Sequence, residues 1–214
     1  MQPPRQEIDI ANWKRAPHFE FFSQFHDPSY GITLRVDCTA AYQHAKSGGN
    51  SFFLSCLYWS LCAAQKVDAF RLRIDDGNVY LYERADGGSA IDRPNGTFGF
   101  GQFPFNSDMQ LFLKAAQAEV ERVRSTTDLL RAEANNVIRY SSLPWIDFTS
   151  LTHAQRFAQA DSSPRITFGK MTESDGRRSM PVAIHVHHGL VDGRDVGQFT
   201  ELFQEILAAP DKVR

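Results

Sequence analysis

Residues 181–193 read Pro-Val-Ala-Ile-His-Val-His-His-Gly-Leu-Val-Asp-Gly, and the nature of the chain turns on them. Apolar residues alternate through Val182, Ile184 and Val186, the period-two pattern of a strand. The same alternation puts His188 on the aliphatic face, and His185 and His187 on the other. A helix follows from Asp192 to Ala208. Val196, Phe199, Leu202, Phe203 and Ile206 share one of its sides, and Pro210 lies beyond its end. An imidazole on a face with three aliphatics is shielded from water, and burial disfavours its charged form. A neutral ring at a strand end, facing a cavity, suits a general base.

Further from this stretch, other segments declare their type. Phe70–Glu83 alternates as FRLRI and VYLYE around Asp-Asp-Gly-Asn, which predicts a hairpin. Residues 50–66 carry Phe53, Leu57, Leu61 and Ala64 at helical spacing behind Asn50 or Ser51 as N-cap. A second helix is expected from Ser107 to about Thr126, with Ser107 and Gln110 as a capping box. Its apolar stripe is Met109, Phe112, Ala116, Val120 and Val123. Helices interleave with strands, and the hairpin excludes a purely parallel sheet. A mixed α/β fold follows. No repeat, low-complexity tract or Pro-rich linker divides the chain, so one domain is expected over residues 1–214.

Composition narrows the function. The net charge is −2, from 23 basic and 25 acidic residues, which gives no broad footprint for nucleic acid. The longest apolar run, Phe52–Ala64, falls short of the roughly 20 residues that span a bilayer, and no secretory leader opens the chain. No membrane partner is therefore expected. Cys38, Cys56 and Cys62 cannot all pair and form no CxxC, which suits reduced thiols in the cytoplasm. His185 and His187 could chelate a zinc ion, but no third ligand pattern lies near, and no metal is expected.

His187-His188-Gly189-Leu190-Val191-Asp192-Gly193 resembles the HHxxxDG motif of the CoA-dependent acyltransferases. DIANWKRAPHFEFF (9–22), SSLPWIDFTS (141–150) and PRITFGKM (164–171) resemble, in order, landmarks of the classical trimeric chloramphenicol acetyltransferases. The likeness runs from about Ile8 to Leu207. It implies a two-layer α/β sandwich with a mixed β-sheet, assembled as a homotrimer with active sites at subunit interfaces. It implies acetyl-CoA as co-substrate and chloramphenicol as acceptor, with direct transfer, no acyl-enzyme and no metal. The outcome would be inactivation of the antibiotic.

By the same resemblance His188 is the general base, and Asp192 with Arg15 forms a structural ion pair, expected to be buried. Ser141 donates to the oxyanion beside the thioester. Thr167 holds a water near the transition state, and Lys170 lies near the phosphorylated adenosine end of CoA. Phe21, Phe22, His26, Tyr30, Phe98, Phe100 and Thr167 fall at acceptor-contact positions. The likeness has gaps. Ser51, Phe53 and Met171 replace groups expected near CoA, and His26, Tyr30 and Phe100 change the acceptor pocket. A different small alcohol or amine is the alternative acceptor, and a non-catalytic binding relative the third reading.

Overall fold

The structure is a computed structural model that describes residues 3–129, 134–154 and 161–213. The HHGLVDG stretch ends a long strand, β10 (Arg177–His187), and opens α5 (Gly193–Ala208). β10 starts four residues before Pro181. Pro181 falls between the stretch of β10 paired with β9 (Thr172–Ser174) and that paired with β8 (Arg165–Phe168), so its missing N–H interrupts neither ladder.

The main sheet has seven strands. Its order is β2 (Ser29–Asp37), β10, β8, β7 (Val137–Ser142), β5 (Asp86–Asp92) and β6 (Phe98–Phe103), with β9 beside β10. β8, β7 and β5 run parallel, and the other pairs are antiparallel, so the sheet is mixed. The predicted hairpin forms as β3 (Leu72–Asp75) and β4 (Asn78–Tyr82). It joins β1 (Arg5–Glu7) in a separate three-stranded sheet. Asp76 and Gly77 turn the hairpin with φ of 48° and 81°.

The helices are α1 (Ala16–Ser23), α2 (Thr39–Ser47), α3 (Phe52–Gln65), α4 (Met109–Ser125) and α5. α3 is buried continuously from Leu54 to Ala64, between the sheet and its neighbours α2, α4 and α5. That is why its sequence is apolar all round rather than striped. Ser51 caps it, accepting from the Leu54 N–H at 3.4 Å. α4 buries Phe112, Ala116, Val120 and Val123 as expected. Its cap is a correction: Asp108, not Ser107, accepts from the N–H groups of Gln110 and Leu111. A carboxylate one residue later displaced the hydroxyl because it satisfies two of the orphan donors and faces the positive end of the helix.

Alternation sorts the sheet into two faces. Ile138, Tyr140, Ile166, Phe168, Val182, Ile184 and Val186 pack into the core with the helices. The opposite face carries two cross-strand rows. One runs Gly31, His185, Arg165, Arg139; the next runs Thr33, Ala183, Thr167, Ser141. Residues 26 positions apart in sequence thus become neighbours.

Candidate active site

His188 follows the last residue of β10, where its backbone N–H donates to the Pro28 carbonyl at 2.8 Å. Its ring stacks on Phe22 of α1 at 4.1 Å between centroids and lies 4.4 Å from the Tyr30 ring. Nδ1 is buried with no hydrogen-bond partner among the described residues. Nε2 makes no hydrogen bond to them either and is the nitrogen left for a substrate. Burial first, with the Asp192 and Asp195 carboxylates, pushes the Tyr30 phenol up to about 12, so the hydroxyl beside His188 keeps its proton.

The loop after His188 is held from three sides. His187 is buried, and its Nδ1 accepts from the Gly189 N–H at 3.1 Å. Asp192 caps α5 in a reciprocal box with Asp195. The Arg15 guanidinium donates to Asp192 at 2.7 Å and to the His188 carbonyl at 3.2 Å. This pair forms as expected, but it is not buried: the Arg15 side chain is 21% exposed and that of Asp192 42%. Loss of either partner therefore costs less than the roughly 3–5 kcal/mol of a buried pair. Asp192 is partly in solvent because it sits at a helix N-terminus, where the first backbone N–H groups open outward. Arg15 and the cap hold its carboxyl below the usual carboxylate range against the effect of partial burial.

His187 makes this loop sensitive to acid. Burial holds its imidazole at about 4, against an ordinary 6.5, and Nδ1 must stay unprotonated to accept from Gly189. The unfolded chain binds a proton first as pH falls. This group's stabilisation is therefore complete above about 6.5, shrinks between 6.5 and 4, and is fully lost below 4. The difference amounts to about 3 kcal/mol. Urea melts at pH 7, 5.5 and 4.5 should show falling stability, and His187→Gln should flatten that slope. A slope unchanged in the variant would mean that other groups carry it.

Ser141 and Thr167 stand side by side on the parallel pair β7–β8. Ser141 lines a cavity of about 680 Å³ with Phe98, Phe100, His153, Arg139 and Arg165. Thr167 is fully buried and lines neither this cavity nor the second, its hydroxyl 3.4 Å from His153 Nε2. A second cavity, of about 710 Å³, is lined by His26, Asp27, Tyr30, His153, Arg165 and His185 among others. His153, Asp161, Ser163 and Arg165 line both. Asp161 accepts from Arg139 at 2.9 Å and Arg165 at 3.3 Å. Burial raises its carboxyl, but Arg139, the Ser163 N–H and Arg165 outweigh that and hold it at about 2.

Tyr30 therefore faces both His188 and the second cavity, and Phe22 stacks on His188. His188 itself lines neither cavity. Phe21 and Phe98 are 57% and 50% exposed, Phe98 at the lining of the Ser141 cavity. The Lys170 side chain is exposed, and its backbone N–H donates to the Ile146 carbonyl. Gly169 beside it admits no side chain, since a Cβ would press on Phe148, Pro181 and the Ile146 carbonyl. Ser51 is occupied as a helix cap. No group of three or more metal-ligating side chains occurs among the described residues. His185 Nε2 lies 3.0 Å from the Leu151 carbonyl.

His153, Asp161, Arg139 and Arg165 were not anticipated. The arginines each stand two residues before Ser141 and Thr167, so alternation alone could have found them. His153 sits between β7 and β8 in a stretch with no regular structure and no periodic signal.

This mixed sheet with its helices has the architecture of the CoA-dependent acyltransferase fold. The dihydrolipoamide acetyltransferase of Azotobacter vinelandii shares it at 18% identity and a TM-score of 0.66, over 92% of this chain and 88% of that one. A solved structure named chloramphenicol acetyltransferase matches far more closely. It is 36% identical, with a TM-score of 0.89 over 95% of this chain and the whole of that one. The family model for chloramphenicol acetyltransferase covers residues 5–204, and the chain belongs to that family. Chloramphenicol acetyltransferase 3 of Escherichia coli is 26% identical over 94% of this chain and 95% of its own length. The Bacillus pumilus chloramphenicol acetyltransferase is 28% identical over 97% and 95%.

Proposed function

We propose that this chain, as one domain, moves the acetyl group of acetyl-CoA onto a hydroxyl of chloramphenicol and so inactivates it. The observation that carries the reading is His188. Its ring is wedged between Phe22 and Tyr30, with Nε2 unclaimed, on a loop tied down by Arg15 and Asp192. Nε2 takes the proton of the acceptor hydroxyl as its oxygen attacks the thioester carbonyl carbon. The Ser141 hydroxyl donates to the oxyanion of the tetrahedral intermediate. Collapse breaks the carbon–sulfur bond, the proton on His188 passes to the sulfur, and an acetyl ester and free CoA leave. Thr167, the cross-strand neighbour of Ser141, holds a water near the transition state, and the exposed Lys170 side chain meets a phosphate of CoA from solvent.

Ser141 lines the first cavity and His188 lines neither, which supports catalysis between copies in a homotrimer. Exposed Phe21, Phe98 and Trp145, the last 69% exposed, are what a second copy would cover. The free, buried thiols of Cys38, Cys56 and Cys62 support a cytoplasmic setting. No helix among the described residues is long and apolar enough to cross a membrane.

The test is thioester consumption with chloramphenicol and acetyl-CoA, with the acetyl ester identified by mass spectrometry. Absence of ester at millimolar chloramphenicol would end this reading. A second reading, a different small alcohol as acceptor, is favoured by the polar groups of the second cavity, His26, Asp27, His153 and His185.

A further inference from the structure

Arg35 stands on the same sheet face as Ser141, one row further along. Thr33 and Ala183 lie opposite each other in the Ser141 row, and Arg35 and Pro181 are the pair two residues on. The Arg35 guanidinium meets three acceptors on three separate elements. It donates to Asp147 at 2.7 Å, to the Thr172 hydroxyl of β9 at 2.8 Å and to the Ser179 hydroxyl of β10 at 3.2 Å. Asp147, 112 positions away, belongs to the segment that leaves β7 after Ser141. That segment begins with a tight turn. The Ile146 N–H donates to the Leu143 carbonyl at 3.1 Å, with Pro144 and Trp145 between them. The turn is laced to the chain that follows β8. The Leu143 N–H donates to the Phe168 carbonyl at 2.8 Å, and the Ile146 carbonyl accepts from the Lys170 N–H at 2.9 Å. Gly169, which leaves no room for a Cβ under Phe148 and the Ile146 carbonyl, lets the two stretches lie this close.

We propose that Arg35 is a positioning residue for the acetyl-CoA end of the site. By holding Asp147 it fixes the Leu143–Phe148 segment, and through the Ile146–Lys170 bond that segment fixes where Lys170 stands. This rests on the acetyltransferase reading above, in which Lys170 meets a phosphate of CoA, and adds the residue that sets its place. Lys170 carries its charge on a flexible stem, so its backbone must be placed if the ammonium is to wait where the phosphate arrives. Arginine suits the post. Its planar fork presents donors in several fixed directions, which matches three acceptors on β9, β10 and the turn at once. The Arg35 and Asp147 side chains are 44% and 41% exposed, so the tie adds little to the stability of the whole fold. Its effect is on placement: it joins edge strand β2 to a turn that starts two residues after Ser141.

The test measures CoA affinity by calorimetry, and KM for acetyl-CoA and kcat with chloramphenicol. It is run on wild type, Arg35→Ala, Asp147→Ala and the variant that combines both. Each single substitution should weaken CoA binding about three- to fivefold, the most that an exposed ion pair carries. KM for acetyl-CoA should rise by a similar factor, and kcat should change less. The combined variant should bind CoA no more weakly than either single one, because both substitutions remove the same tie. Urea midpoints of all four should lie close together. Unchanged CoA affinity in Arg35→Ala overturns the proposal. So do losses that add in the combined variant, and so does a fall in kcat with KM unmoved. Tighter CoA binding in Asp147→Ala overturns it too, since a released Arg35 would then be the phosphate contact itself. A wild type that binds no CoA removes the acetyltransferase reading and the proposal together. A wild type that binds CoA no better than Arg35→Ala removes the positioning role alone.

Discussion

His188→Ala should leave the fold intact and lower turnover at least about a hundredfold. The fold should survive because the ring lies outside the core of Val182, Ile184 and Val186. Its ring contacts are a stack on Phe22 and a tilted contact with Tyr30. The His188 backbone bonds, to the Pro28 carbonyl and from the Arg15 guanidinium, do not depend on the side chain. Turnover should fall because neither of the other imidazoles at the end of β10 can replace it. His187 uses Nδ1 to hold Gly189, and His185 is engaged with Leu151. The measurements are thermal melting, expected to shift little, and kcat under saturating acetyl-CoA. A fully active variant would remove His188 from the role of base.

Ser141→Ala should cost about a hundred- to a thousandfold in kcat with little change in KM for acetyl-CoA. A donor aimed at the oxyanion acts in the transition state rather than the ground state. Ser141 is only partly buried and no hydrogen bond ties its side chain to the described residues, so alanine leaves no buried group stranded. A parallel rise in KM with kcat unchanged would make Ser141 a binding residue instead. The same variant tests assembly. His188 lines neither cavity, whereas Ser141 lines the first. If the site forms between copies, refolding His188→Ala together with Ser141→Ala should restore activity that neither variant has alone. Some mixed oligomers then pair an intact His188 with an intact Ser141. No recovery on mixing would place both groups in one chain's site.

The elements nearest HHGLVDG were legible because their signals are local. Alternation over Val182–Val186 marks β10, and the Asp192 cap marks the start of α5. The hairpin was legible through its Asp-Gly turn. The cap of α4 was misassigned because Ser107 and Asp108 are adjacent candidates and the choice depends on where the helix is forced to begin. The Arg15–Asp192 pair was expected from resemblance, and its partial exposure was not, because exposure depends on what packs around a helix end. His153 carried no signal. It follows β7 in irregular chain, and its importance comes only from the strands beneath it.

Sequence by itself determined the element types, most of their ends, and the residues that can supply a base and a hydroxyl donor. Those properties are set by neighbours two to four positions away, through strand alternation, helix periodicity and capping. Only the tertiary structure decided the meetings: Ser141 beside Thr167, His153 against His185, and Arg15 reaching across 177 positions to Asp192. It also decided that Ser141 lines the first cavity while His188 lines neither. Strand register and helix docking are settled by burial of the whole apolar face at once, and no local stretch of chain contains that information.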